Sequence, residues 1–193
     1  MSSVLFNRAG KRKYLTNDER QAFISAAKTH PREVRTFCLV LAYTGCRISE
    51  ALQLTADRID PAGGLVVFES LKKRRSGIFR AVPVPPALLD ALELVHGVSE
   101  VQSRPDGGAG LRLWTWSRST AWRRVREVMQ AAGITGPQAS PKGLRHGFGV
   151  AAVQAGIPLN LVQRWLGHAD LATTAIYVDA VGVEEQELAA RMW

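Results

Sequence analysis

Apolar residues recur every three or four positions along most of the chain, which is the period of amphipathic helices. One such segment carries Val34, Cys38 and Leu41 on a single face. Pro31 precedes it and Gly45 follows it, and these residue types are typical helix boundaries. The pattern therefore predicts a helix between them that packs one face against a core.

Another helix start is marked at Thr16, which can cap the backbone and has Glu19 three residues later to complete a capping box. That helix is predicted to run to about Lys28. The same period predicts further helices at 47–54, 87–96, 118–131, 141–155, 158–166, 170–177 and 183–191. A stretch rich in Gly, Pro and Ser, 97–112, is predicted to be a loop.

In the middle of the chain, the spacing of apolar residues shortens to two positions, as in a β-strand. Residues 65–68 and 79–84 are predicted to be the strands of a hairpin that follows a turn at 61–64. The hairpin tip carries consecutive positive charges at Lys72, Lys73, Arg74 and Arg75. The predicted fold class is mainly α with a small antiparallel β-sheet at one edge.

A length of 193 residues suits a single main domain with an ordinary core. We divide the chain into a basic N-terminal arm at 1–13, a main domain at 14–182 and a C-terminal helix at 183–193. Cys38 and Cys46 are too few for a disulfide scaffold or a typical zinc site, so buried free thiols are expected.

The net charge of +8 and the isoelectric point near 10.1 are unusually basic. They indicate a polyanionic partner, most often nucleic acid and less often an anionic membrane surface, with an ordinary basic protein as the alternative. The sequence has no apolar run near the ~20 residues of a membrane helix and no signal-peptide core. We therefore expect a cytoplasmic protein without a membrane partner.

Several polar positions suggest chemistry, although each also has an ordinary structural explanation. Arg47 is followed one helical turn later by an acidic residue, as in many surface ion pairs. Lys142 and Arg145 share a helical face, which is commonly just solvated. His168 has the position of a helix-terminal histidine, and Tyr177 that of a half-buried core residue. Taken together, however, these groups supply what an enzyme needs to cut a phosphodiester with a tyrosine hydroxyl.

Their order resembles the tyrosine recombinase, or phage integrase, family over about residues 14 to 180. The chain reads Thr-Gly-Cys-Arg-Ile-Ser-Glu from 44, Lys-Gly-Leu-Arg-His from 142, Leu-Gly-His from 166, and then Tyr177. Family members typically show Thr-Gly-x-Arg-x-x-Glu, His or Lys-x-Leu-Arg-His, Leu-Gly-His and a final tyrosine. Agreement of four blocks in order is far more specific than a single motif. The resemblance implies the integrase catalytic-domain fold.

The resemblance also assigns roles. Arg47, Arg145 and His168 would clamp the scissile phosphate and stabilise the charge of the transition state. Lys142 stands where many members have histidine, and Glu50 would support Arg47. The family chemistry implies no metal and no small-molecule cofactor.

Tyr177 would be the nucleophile, giving a 3′-phosphotyrosyl intermediate and a free 5′-hydroxyl. Tyrosine has an ordinary pKa near ~10, so Lys142 or His168 would assist its deprotonation. A family lysine in the β-hairpin protonates the leaving oxygen; Lys72 is the preferred candidate and Lys73 the alternative. Contacts to the DNA backbone are expected from the remaining basic residues of the hairpin and the arm, namely Lys73, Arg74, Arg75, Arg80, Lys11, Arg12 and Lys13.

The match departs from the family pattern at two places. Most members carry a separate DNA-clamping domain first, whereas only residues 1–13 precede the first predicted helix here. The chain thus resembles catalytic-domain-only members or a fragment of a longer enzyme. Gly147 and Gly149 replace the usual bulkier residues, and they either loosen their helix or allow a close backbone approach.

The sequence therefore predicts a site-specific DNA recombinase that acts on double-stranded DNA. The resemblance implies a homotetramer on two DNA sites and a nucleoid-associated location. The C-terminal helix either contacts a neighbouring subunit or folds onto its own domain. Two alternatives stay open: a DNA-binding accessory or regulatory protein of the same fold, and a relaxing topoisomerase of the same chemistry.

Overall fold

The computed structural model describes residues 5–70, 77–178 and 190–192. Within these ranges the chain forms nine α-helices, which are α1 (Asn17–Ala27), α2 (Arg32–Thr44), α3 (Ile48–Ala51), α4 (Pro86–His96), α5 (Val98–Gln102), α6 (Arg118–Ala131), α7 (Pro141–Gln154), α8 (Leu159–Leu166) and α9 (Ala172–Ala175). Short 3-10 turns lie at Ala56–Arg58 and Ala190–Met192. Most of the predicted helix 183–191 falls outside the described residues.

One antiparallel sheet accompanies the helices, with the strand order β1 (Ile59–Asp60), β2 (Leu65–Glu69) and β3 (Phe79–Pro83). Val67 pairs with Ala81, and Val66 pairs with Val82. Val66 and Val82 face the core, as the two-residue period predicts. The predicted fold class and the β2–β3 hairpin are therefore confirmed. β1 has only two residues and is too short to give a periodic signal.

The described part of the basic arm folds back against the domain. Lys13 N donates to Leu5 O at 2.7 Å, and the Leu5 side chain is fully buried. Arg12 Nη2 donates to Glu19 Oε1 at 2.6 Å. Glu19 also completes the predicted capping box with Thr16, so one carboxylate ties the arm to the start of α1.

Two segments differ from the sequence prediction. The predicted loop 97–112 contains the short helix α5, whose Gln102 side chain donates to Ala56 O and Ile59 O at 2.8 Å each. These tertiary hydrogen bonds order a segment whose composition favours a loop. The helix predicted over 170–177 is also shorter, because α9 has only four residues.

The helix α7 lies between two hydrophobic cores. Its Leu144 belongs to the larger core, which is built from α1, α2, α4, α6 and the sheet. Its Phe148 belongs to the smaller core, which also contains Leu166 of α8 and Tyr177. The residues of α7 from Gly143 to Val150 are consequently all buried.

The two unexpected glycines of α7 allow close approach. A Cβ atom at Gly147 would lie 2.6 Å from Leu15 O, and one at Gly149 would lie 2.6 Å from Cε2 and Cζ of the Tyr177 ring. Both distances are shorter than any ordinary carbon contact. Of the two explanations for these glycines, the structure supports close packing against α7.

Candidate active site

A cleft of about 760 Å³ brings most of the predicted catalytic residues together. We call it the central cleft. It is lined by charged, hydroxyl and aromatic side chains that include Arg47, Lys142, Arg145, His146, His168 and Tyr177. These residues come from the start of α3, from α7 and from the segment after α8, so the fold unites blocks that are distant in sequence.

Arg47 lies at the start of α3, where Glu50 holds it in place. Arg47 Nη1 donates to Glu50 Oε1 at 2.8 Å, and the backbone N of Arg47 donates to Oε2 at 2.8 Å. The Glu50 side chain has no exposed surface, whereas that of Arg47 is 28% exposed. This geometry leaves part of the Arg47 guanidinium free to bind an anion in the cleft.

Arg145 is buried under the cleft and is held by backbone carbonyls. Its Nη1 donates to Gly45 O at 2.8 Å, and its Nη2 donates to Leu166 O at 2.7 Å. These carbonyls lie at the C-terminal ends of α2 and α8, where the helix dipole favours a cation. Burial, together with the nearby charge of Arg47, lowers the pKa of Arg145 to about 10. Arg145 still carries its charge at neutral pH.

Tyr177 is fully buried, and its hydroxyl contacts a histidine that the sequence analysis did not select. Tyr177 Oη lies 3.2 Å from His146 Nδ1, and the ring packs against Gly149. Burial raises the pKa of Tyr177, although the charges of Arg145 and Arg47 oppose this effect. Deprotonation of the hydroxyl therefore needs help from a neighbouring group or from bound substrate.

The two histidines beside Tyr177 are neutral at physiological pH. Burial, with a further contribution from nearby Arg145, lowers the pKa of His168 to about 3 and that of His146 to about 4. His168 Nδ1 lies 2.9 Å from Thr174 Oγ1, and its ring stacks on Tyr177 with a centroid distance of 6.2 Å. His146 Nε2 is buried and has no hydrogen-bond partner among the described residues.

Lys142 lies at the first turn of α7 and is exposed at the edge of the cleft. Its charge contributes to the lowered pKa of His146. The other predicted lysines, Lys72 and Lys73, lie outside the described residues, as do Arg74 and Arg75. Their roles stay predictions.

Arg80 does not occupy the surface position that a DNA-backbone contact requires. It is only 7% exposed, and its guanidinium binds Glu50 and Trp165 O inside the protein. The alternation along β3 explains this placement, because Arg80 shares the inward face with Val82 while Phe79 points outward. That alternation was the signal in the sequence that pointed to a buried arginine.

The basic residues of the arm have different environments. Lys11 is exposed and Lys13 is half-buried, and their predicted DNA contacts stay predictions. Arg12 donates to Glu19 and to Tyr14 O, so its guanidinium is already engaged within the protein.

The central cleft also contains residues that sequence reasoning missed. His146 directly follows Arg145 in the motif, but its contact with Tyr177 depends on packing between segments 31 positions apart. Arg118 and Trp122 of α6 line the cleft as well, and Trp122 is 49% exposed. The sequence places Arg118 and Trp122 one helical turn apart, and both residue types are enriched where proteins bind partners, but the exposure of Trp122 is seen only in the structure.

The described residues contain neither a membrane-spanning helix nor a cluster of metal ligands. No helix in them is long and apolar enough to cross a membrane. In the same ranges, no group of three His, Cys, Asp or Glu side chains is placed to hold a metal ion. Cys38 and Cys46 are buried free thiols, as expected.

Comparison with known proteins shows the family to which the chain belongs. The model of the phage integrase family matches residues 13–182. Tyrosine recombinase XerD of Mycobacterium tuberculosis is 37% identical over 144 residues, which cover 72% of this chain and 45% of that protein. Tyrosine recombinase XerA of Pyrococcus furiosus is 28% identical over 186 residues, which cover 93% of this chain and 61% of that protein. The chain spans about half the length of these relatives.

A crystal structure of XerA recombinase has the same fold, with a TM-score of 0.75 and 26% identity over 93% of this chain and 64% of that one. A lambda integrase dimer bound to a core site, at 23% identity and a TM-score of 0.63 over 92% of this chain and 52% of that one, shares the fold. The predicted catalytic-domain fold is therefore confirmed. The chain belongs to the phage integrase family of tyrosine recombinases.

Proposed function

We propose that the protein is a site-specific recombinase that breaks and rejoins double-stranded DNA through Tyr177. The observation that carries the proposal is the central cleft, where Arg47 and Arg145 lie around a buried tyrosine. DNA as the partner is supported by solved structures of the same fold, a XerH recombinase bound to its difH substrate and a lambda integrase bound to a core site.

The chemistry is a transesterification. Tyr177 Oη attacks the scissile phosphorus, the bond from phosphorus to the 5′-oxygen breaks, and that oxygen leaves as a hydroxyl after taking a proton. The 3′-phosphotyrosyl bond keeps the energy of the broken ester, so a second 5′-hydroxyl can attack it and release Tyr177. Each exchange balances without nucleotide hydrolysis, in line with the expectation of no cofactor.

Arg47 and Arg145 would stabilise the negative charge that develops on the phosphate oxygens. A guanidinium keeps its charge at working pH and can contact two oxygens at once. Because Glu50 and two backbone carbonyls already fix these arginines, little reorganisation is needed when the charge appears. Lys142 and His168 at the cleft would add further hydrogen-bond donors.

Two proton transfers complete the scheme. His146 is the group in contact with the Tyr177 hydroxyl, so it joins Lys142 and His168 as a candidate to assist deprotonation. Protonation of the leaving oxygen is assigned to Lys72, with Lys73 as the alternative. The tetramer on two DNA sites, the subunit contact of the C-terminal helix and the nucleoid-associated cytoplasmic location are further parts of the proposal.

Trapping the covalent intermediate tests the proposal. The protein is incubated with supercoiled DNA from its own genetic neighbourhood, the reaction is quenched with denaturant, and protein linked to a 3′ end is measured. The chain has three tyrosines, so Tyr14→Phe and Tyr43→Phe are matched controls for Tyr177→Phe. Only the Tyr177 variant should lose the adduct, while all three should retain DNA binding.

Two other outcomes would contradict the proposal. An adduct that persists in Tyr177→Phe would show that the nucleophile is misassigned. DNA binding without any adduct in the wild-type protein would favour the accessory or regulatory alternative.

A further inference from the structure

Arg80 is a buried cation that uses three of its nitrogens inside the protein. Its Nη1 and Nη2 donate to the two Glu50 oxygens at 3.3 and 2.6 Å, and its Nε donates to Trp165 O at 2.7 Å. The guanidinium also lies 5.2 Å from the centre of the Phe68 ring. Such a fork-like contact to a carboxylate fixes the orientation of both partners.

Glu50 binds Arg80 and Arg47 at the same time. Each of its oxygens accepts one hydrogen bond from Arg80 and one from Arg47, whose donors are Nη1 and the backbone N. The carboxylate is therefore fully engaged. Removing Arg80 would leave each Glu50 oxygen with a single hydrogen bond, and both of these bonds come from Arg47. The carboxylate that orients Arg47 would then be held less firmly.

Arg80 also holds the segment that carries His168. It binds Trp165 O at the end of α8, and a Cβ atom at Gly167 would lie 3.1 Å from Arg80 Cδ and Nη1. The next carbonyl, Leu166 O, accepts a hydrogen bond from Arg145. Two buried arginines thus fix the backbone immediately before His168.

We propose that Arg80 is a positioning residue of the active site, which joins Glu50 to the end of α8 and thereby fixes Arg47 and the segment that carries His168. Its consequence for catalysis rests on the proposed function, whereas its effect on the order of Arg47 is a property of the protein alone. The proposal replaces the expected DNA contact with an internal one. Arg80 also links strand β3 of the hairpin to Arg47, which is proposed to bind the phosphate.

The test compares Arg80→Met and Arg80→Lys with Arg58→Met. Arg58 is a matched control because it pairs with Glu69 on the same sheet and does not line the central cleft. Lysine keeps the charge but lacks the planar fork that lets Arg80 bind both Glu50 oxygens while its Nε binds Trp165 O, so it separates charge from geometry. Folding of each variant is checked by thermal unfolding. Three quantities are then measured: single-turnover cleavage at saturating DNA, DNA affinity at several salt concentrations, and side-chain 15N relaxation of Arg47.

We expect Arg80→Met to slow cleavage about 100-fold, because a misplacement near 1 Å costs roughly that factor. The cleavage rate of Arg80→Lys should fall about tenfold, which is intermediate between Arg80→Met and the wild type. That of Arg58→Met should fall less than about twofold. The Arg47 side chain should become more mobile in Arg80→Met, and DNA affinity should fall far less than the cleavage rate, because Arg47 keeps its charge.

Three results would overturn the proposal. A salt slope reduced by about 0.9 in Arg80→Met, with the mobility of the Arg47 side chain unchanged, would identify a direct phosphate contact of Arg80 instead. Equal loss of cleavage in Arg58→Met would indicate a general effect on the sheet. An unchanged Arg47 signal in Arg80→Met would refute the positioning role even if the wild-type protein formed no DNA adduct, so the proposed function and this inference can fail separately.

Discussion

Replacing Gly149 with alanine is expected to push the Tyr177 ring away from α7. The new Cβ atom would lie 2.6 Å from two ring carbons, whereas carbon atoms in contact prefer about 3.5–4.0 Å. The ring must therefore move by roughly 1 Å if α7 keeps its position. A displacement of this size lowers the rate of a reaction that depends on near-attack geometry by about 100-fold, or about 2.7 kcal/mol.

The expected effect on stability is much smaller. Overpacking costs about 1–3 kcal/mol, whereas alanine is about 1 kcal/mol better than glycine within a helix. The free energy of unfolding should thus fall by about 0–2 kcal/mol, and DNA affinity should stay within about twofold, since Gly149 does not line the central cleft.

Gly147→Ala is the matched control. It introduces a clash of the same length on the same helix, but with Leu15 O rather than with Tyr177. Single-turnover formation of the covalent adduct is measured for both variants, alongside urea unfolding. Wild-type cleavage by Gly149→Ala would refute the reasoning, because it would mean that Tyr177 leaves α7 before it reacts. Equal loss in both variants would instead indicate a general displacement of α7.

Two further predictions concern charge. Because the pKa values of His146 and His168 are lowered from 6.5 to about 4 and about 3, the unfolded chain binds protons between pH 6.5 and 4 that the folded protein does not. The urea midpoint should therefore fall as the pH is lowered through this window, and less so in His146→Asn; a midpoint that rises would contradict the burial of these rings. Lys11→Ala should reduce the salt slope of DNA binding by about 0.9, whereas Arg12→Ala should chiefly lower stability, since Arg12 is bound to Glu19. The reverse pattern would show that Arg12, not Lys11, contacts DNA.

The elements that could be predicted from the sequence have strong local signals. The capping box at Thr16 formed as expected, and the helix predicted over 118–131 matches α6. The short strand β1 and the helix α5 had no such signal, because they depend on tertiary hydrogen bonds rather than on their own periodicity.

The candidate site likewise combines residues that a sequence motif identifies with contacts that only the folded chain creates. The motif identified Arg145, but its partners Gly45 O and Leu166 O are 100 and 21 positions away, and no local pattern specifies them. The inward position of Arg80 could have been predicted from the sequence, because the alternation along β3 places it on the same face as Val82. Its basic side chain favoured a DNA contact instead, and only the structure reveals the buried carboxylate that it binds.

Buried positive charge distinguishes the candidate site from the rest of the core. Glu50 pairs with Arg47 and Arg80, whereas Arg145 pairs with no carboxylate among the described residues and donates to two backbone carbonyls. Burial is the main cause of the lowered pKa of Arg145, and the charges of Arg47 and Arg80 lower it further. Burying a cation without a carboxylate partner is costly, so a core built for stability alone would not retain Arg145. A bound phosphate would supply the missing negative charge in the central cleft. Arg145 is thus expected to lower the stability of the free protein, and it is a residue that the proposed reaction requires.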